Sequence, residues 1–130
     1  MKKICILLLL LTTASLFAAT WTGASSEYWN HPSNWSPASV PTSATDVVIP
    51  GTGITNWPLV SGVSANCRNL TINSGGRISI YNQPLTVAQN FTNNGLLDMQ
   101  VASAWLVVQG DAIWNNGSTL TTGGFCTFDY

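Results

Sequence analysis

A turn recurs along the second half of the chain, and it restricts the fold more than any other feature. Asn73-Ser74-Gly75-Gly76, Asn93-Asn94-Gly95 and Asn115-Asn116-Gly117 end on glycines that are 19 and 22 residues apart. Short runs of apolar and β-branched residues flank each turn. Leu70-Thr71-Ile72 and Arg77-Ile78-Ser79-Ile80 surround the first. Leu85-Thr86-Val87, Phe91-Thr92 and Leu96-Leu97-Asp98-Met99 surround the second. Leu106-Val107-Val108, Ile113-Trp114 and Thr119-Leu120-Thr121 surround the third. Counted from each final glycine, Ile72, Phe91 and Ile113 share one position, and Ile78 and Leu97 share another. Periods near 20 residues mark solenoids, in which a repeat can bury its apolar face only against its neighbours. The alternation is strand-like, with no helical periodicity. Asn and Gly tolerate the left-handed backbone of a sharp corner, and stacked asparagines can bond from coil to coil. Asn-Gly is also the preferred two-residue hairpin turn, so a meander of hairpins is the competing fold. The regular period favours the parallel solenoid.

The chain opens differently. Lys2-Lys3, an apolar run from Ile4 to Leu11 and small residues from Thr12 to Ala19 form the three-part pattern of a secretory signal peptide over residues 1–19. The run is too short for a permanent membrane anchor. Cleavage is expected after Ala18 or Ala19, and no membrane insertion is expected afterwards. The remainder has no lysine. Its cations are Arg68 and Arg77, against Glu27, Asp46, Asp98, Asp111 and Asp129. Such a chain cannot neutralise a run of phosphates, which excludes nucleic-acid binding. Its polarity comes from Ser, Thr, Asn and Gly, which suits an extracellular β-protein.

Residues 20–66 are irregular and proline-rich, with four of the six tryptophans. One strand stands out, Asp46-Val47-Val48-Ile49, closed by the turn signal Pro50-Gly51. This segment reads as an aromatic cap, followed by about three coils over residues 67–130. The expected fold is thus an all-β, short right-handed parallel β-solenoid with a tryptophan-rich N-terminal cap. Cys67 and Cys126 lie 59 residues apart, nearly three repeats. At about 4.8 Å per rung they sit roughly 14 Å apart along the axis, and a bridge needs Cα atoms within about 7 Å. Both are expected to be free thiols.

Little in the sequence points to catalysis. His31 is the only histidine and has no neighbouring cysteine or acidic pair, so no metal site is expected. Asp98 and Asp111 are the one carboxylate pair to test for glycoside hydrolysis, which needs its two acids about 5–9 Å apart. They lie on successive coils and can fall on different faces. No cofactor is implied. The aromatic residues Trp21, Tyr28, Trp29, Trp35 and Trp57 are the best functional lead. They could form an exposed platform for the C–H faces of sugars, with Asn30, Asn34 and Asn56 supplying polar edges. The competing role is to plug the open end of the solenoid. Trp105 and Trp114 read as part of the repeat wall.

Several motifs carry a resemblance. Trp21-Thr22-Gly23, Tyr28-Trp29, Ser33-Asn34-Trp35-Ser36, Val40-Pro41-Thr42 and Asp46-Val47-Val48-Ile49-Pro50 precede Asn69-Leu70-Thr71-Ile72 and Asn90-Phe91-Thr92-Asn93-Asn94-Gly95. Together they resemble the N-terminal region of secreted surface proteins of Gram-negative bacteria, the autotransporter-like β-strand-repeat proteins and the cargo of the type IX secretion system. The resemblance spans roughly residues 20–125. It implies a secreted or cell-surface module, structural or adhesive, whose partners are an extracellular glycan or another surface protein. Such proteins run longer than this chain, whose last residues, Phe125-Cys126-Thr127-Phe128, look like the start of another coil. Self-association through that C-terminal edge is a further expectation. A carbohydrate-binding module is the alternative, and a fragment of a polysaccharide-active enzyme a distant third.

Overall fold

The computed structural model describes residues 18–129. Most of the signal-peptide segment, residues 1–17, lies outside the described residues. Among the described residues fourteen short strands form three sheets. The first sheet contains β1 (Ala19–Trp21), β2 (Trp35–Ser36), β3 (Val47–Ile49), β6 (Leu70–Ile72), β9 (Phe91–Asn93) and β12 (Ala112–Trp114). The second contains β4 (Leu59–Val60), β7 (Arg77–Ile80), β10 (Leu96–Met99) and β13 (Thr119–Thr122). The third contains β5 (Ala65–Cys67), β8 (Pro84–Val87), β11 (Trp105–Val108) and β14 (Phe125–Phe128). Among the described residues every pairing from coil to coil is parallel, and only β1 with β2 is antiparallel. The fold is therefore a parallel β-solenoid and not a meander of hairpins.

There are about four coils rather than the three expected. The additional coil, formed by β3, β4 and β5, lies within the segment read as the cap. Its corner is Pro50-Gly51, stacked on the Ser74-Gly75 corner of the next coil. A Cβ on Gly51 would stand 1.8 Å from the Ser74 carbonyl oxygen. Proline removes the N–H and glycine the side chain, so this corner does the work of Asn-Gly without resembling it.

Alternate residues of each strand point inward and stack in register. Val47, Leu70, Phe91 and Ala112 form one ladder, and Ile49, Ile72, Asn93 and Trp114 another. Ala65, Leu85, Leu106 and Cys126 form a third. Leu97 pairs with Ile78 as expected. The glycine count misplaces the first sheet, however. Phe91 pairs with Leu70 and Ala112, whereas Ile72 pairs with Asn93, and Ile113 faces outward at half exposure. The cause is Asn93, which is a fully buried strand residue rather than the first residue of the turn. Its Oδ1 accepts the Gly95 N–H at 2.9 Å, which lets a polar side chain occupy a core rung.

A second polar ladder runs along the corner before the first sheet. The Asn90 N–H donates to Asn69 Oδ1 at 2.9 Å, and the Asp111 N–H donates to Asn90 Oδ1 at 3.2 Å. Asn69 Nδ2 donates to Asp46 Oδ1 at 2.8 Å. The asparagine ladder expected at the Asn-Gly turns is present where Asn115 Nδ2 donates to Asn94 Oδ1 at 2.5 Å. Arg68 grips Asp46 with two bonds, Nε to Oδ1 at 2.7 Å and Nη2 to Oδ2 at 2.5 Å. The hydrogen-bonded guanidinium outweighs partial burial and holds the Asp46 carboxyl below its ordinary range. An acid with a lowered folded pKa stabilises the fold above its unfolded value and loses that contribution as pH falls through the folded value. Asp46→Asn should therefore be less stable than the parent at about pH 7, and the gap should close in strong acid. Urea denaturation of both chains at about pH 7 and pH 2 measures it.

Cys67 is buried and Cys126 half-buried, and both are free. The register places them three rungs apart along the third sheet. Burial pushes both thiols up, Cys67 the further, and so keeps them protonated.

Candidate functional site

The N-terminal tryptophans do not form a platform. Trp21, Trp29 and Trp35 are 0%, 2% and 2% exposed. Trp35 meets Trp21 edge-on at 4.9 Å between ring centres and Trp29 at 4.7 Å. Its indole N–H donates to the Trp29 carbonyl at 2.8 Å. A ring enclosed on both faces has no surface to offer a sugar, so these three are corrected from the candidate binding set to the core. Asn34, read as a polar edge, is also fully buried. Its Oδ1 accepts the Ser25 and Ser26 N–H groups, and its Nδ2 donates to Ser26 Oγ and the Tyr28 carbonyl. It ties the cap loop down and has no free group for a ligand.

Tyr28 and Trp57 remain at the surface, Tyr28 at 47% exposure and Trp57 half-buried. Both belong to the second-sheet side of the solenoid. Tyr28 forms a bridge with Leu59, beside β4. The loop carrying Trp57 is held by the cap. Trp21 Nε1 donates to the Asn56 carbonyl at 2.7 Å, and Asn56 Nδ2 returns a bond to the Gly23 carbonyl at 2.8 Å. Gly23 has φ +59°, and a Cβ there would lie 2.2 Å from the Asn56 oxygen. Only glycine allows that approach. The buried Trp21 thus fixes where Trp57 stands.

Three concavities adjoin across the outer face of the second sheet. One of about 310 Å³ lies mostly against the stacked glycine corners at Gly75, Gly95 and Gly117 and reaches Trp57, Arg77 and Leu96 at the start of the sheet. The next, about 360 Å³, shares Trp57 and Arg77 and adds Glu27, Asn56, Leu59 and Ser79. A third, about 230 Å³, shares Leu59 and Ser79 and reaches Tyr81, Asp98 and Gln100. The outward rungs Leu59, Ser79 and Asp98 form the floor. An ion pair crosses it diagonally. Arg77 Nη2 lies 2.6 Å from Asp98 Oδ2, with the arginine side chain 44% exposed and the aspartate 8%. Gln100 Nε2 reaches the same oxygen at 3.3 Å. Asp98 Oδ1 is buried with no hydrogen-bond partner, an omission that costs about 1–3 kcal/mol.

Another aromatic surface lies on the third sheet. Trp105 and Phe125 are register partners on the outer face, 49% and 65% exposed. They line a more apolar hollow of about 540 Å³ with Ala102, Ser103 and Thr127. Trp105 Nε1 donates to Thr127 Oγ1 at 2.5 Å. Trp105 does belong to the repeat wall, but on its outside. Trp114 occupies a core rung of the last coil, edge-on to Phe91 at 5.4 Å. Asp98 and Asp111 do not converge, since Asp98 lies in β10 and Asp111 at the corner before the first sheet. His31 is exposed, and among the described residues no three His, Cys, Asp or Glu side chains gather to hold a metal.

Fold and surface together define a short parallel β-solenoid with a buried aromatic cap and a polar groove along one outer face. The model of the family described as a domain of unknown function, DUF8693, matches residues 20–129, and the chain belongs to that family. No curated protein and no solved structure matches it significantly.

Proposed function

We propose that this chain is a structural and adhesive module of the outer surface of a Gram-negative bacterium, exported by its N-terminal segment and without catalytic activity of its own. The observation that carries this reading is the aromatic surface of the third sheet, where Trp105 and Phe125, register partners at 49% and 65% exposure, line an apolar hollow. An exposed apolar patch of this kind marks an interaction surface.

The test is adhesion. Beads coated with the purified chain should be retained under flow on surfaces carrying bacterial envelope material, without releasing soluble sugars from it. Retention no better than that of albumin-coated beads contradicts the adhesive reading. Steady release of reducing sugars contradicts the non-catalytic one. Recognition of carbohydrate is a second reading, and the half-buried Trp57 beside the second-sheet groove favours it over any use of the buried tryptophans.

A further inference from the structure

We propose that the groove on the outer face of the second sheet binds a neutral polysaccharide chain, with Trp57 and Tyr81 as the stacking rings and Arg77, Asp98 and Gln100 as the hydroxyl-binding groups. The inference rests on the adhesive reading and names its ligand. The first argument is shape. The three concavities share Trp57 and Arg77, then Leu59 and Ser79, so they form one path over β4, β7 and β10. The path runs in the strand direction, from Arg77 past Ser79 to Tyr81, across the face of the solenoid, and its length suits an extended polymer better than a compact metabolite.

The second argument is chemistry. Vicinal hydroxyls are recognised by planar polar groups and sugar C–H faces by aromatic rings. The groove places a guanidinium, a carboxylate and an amide on its floor. Trp57 lies toward one end, and Tyr81, 52% exposed, toward the other. Asp98 is under-satisfied in a specific way. Arg77 and Gln100 both address Oδ2, and Oδ1 has no donor. Buried acceptors without partners are rare and require an explanation. A ligand hydroxyl lodged between Leu59 and Tyr81 supplies the missing donor after a small rotation of the carboxylate.

The third argument is charge. Asp98 already neutralises Arg77, and Glu27 adds a further negative group at the groove. Among the described residues no cation remains at the groove for a uronate or phosphate, so an acidic polymer is disfavoured and an uncharged one is not.

Affinity electrophoresis of the purified full chain tests this, in gels containing hydroxyethylcellulose, galactomannan or xyloglucan, with polygalacturonate for comparison. At least one neutral polymer should retard the chain. Tyr81→Ala and Asp98→Asn should each raise the apparent Kd about tenfold or more. Tyr81 is exposed, so its variant should keep the parent's thermal unfolding, and loss of binding there cannot be loss of fold. Retardation that ignores both substitutions, retardation by polygalacturonate alone, or no retardation overturns the assignment. If coated beads still adhere in those cases, the adhesive reading stands and the groove is not its site. If adhesion is absent as well, both fall.

Discussion

Trp35→Ala is expected to destabilise the chain by about 3–5 kcal/mol, the usual cost of emptying a buried aromatic site. Trp35 is enclosed by Trp21 and Trp29, and its indole N–H satisfies a buried carbonyl. Its removal opens a cavity against both rings and strips that carbonyl of its donor. A domain of this size is stable by only about 5–15 kcal/mol, so the variant should be close to unfolding at room temperature. Thermal melts followed by circular dichroism should show a fall of about 15 °C or more. Trp105→Ala, at a half-exposed ring, is the matched comparison and should cost far less. Equal, small effects would mean that Trp35 does not hold the cap.

Gly95→Ala is expected to cost about 3 kcal/mol or more, although it adds one methyl group. A Cβ at Gly95 would lie 2.3 Å from the Gly76 carbonyl oxygen, 2.7 Å from that of Asn73 and 2.8 Å from Ile72 Cγ2. Two of these contacts are with backbone. The Gly76 carbonyl also accepts the Leu96 N–H at 2.9 Å, so it cannot retreat without breaking the ladder between coils. Gly53→Ala is the internal reference. It has φ +74° and nothing within 4 Å of the added atom, which limits its cost to about 1–2 kcal/mol of backbone strain. Urea midpoints of the two variants separate the effects. If both lose the same small amount, close approach at the stacked corner is not what requires Gly95.

The recurring turn and its flanking alternation reveal the parallel stack because they reflect the period of the coil itself. The pairing of Ile78 with Leu97 follows directly from that spacing. The register of the first sheet does not. Corner lengths differ between coils, and Asn93 serves as a core rung while resembling a turn residue. Pro50-Gly51 conceals an entire coil for a similar reason, since its corner has different chemistry. The tryptophan motifs in the sequence read as a plug, with an exposed platform as the alternative. Only the enclosure of Trp21, Trp29 and Trp35 separates these roles. The groove was the least legible feature. Arg77 and Asp98 are 21 residues apart and become neighbours only once the coil length is known. Trp57 is placed beside the groove, half-buried against the core, by a loop that Asn56 ties to the cap.

Flow cytometry of intact producing cells, stained with antibody raised against folded residues 20–129, tests the surface-module account most directly. The account predicts strong staining without permeabilisation, removed by brief protease treatment of whole cells. Staining that appears only after the envelope is opened would contradict it, because a module retained inside the cell cannot serve as an adhesive part of the surface.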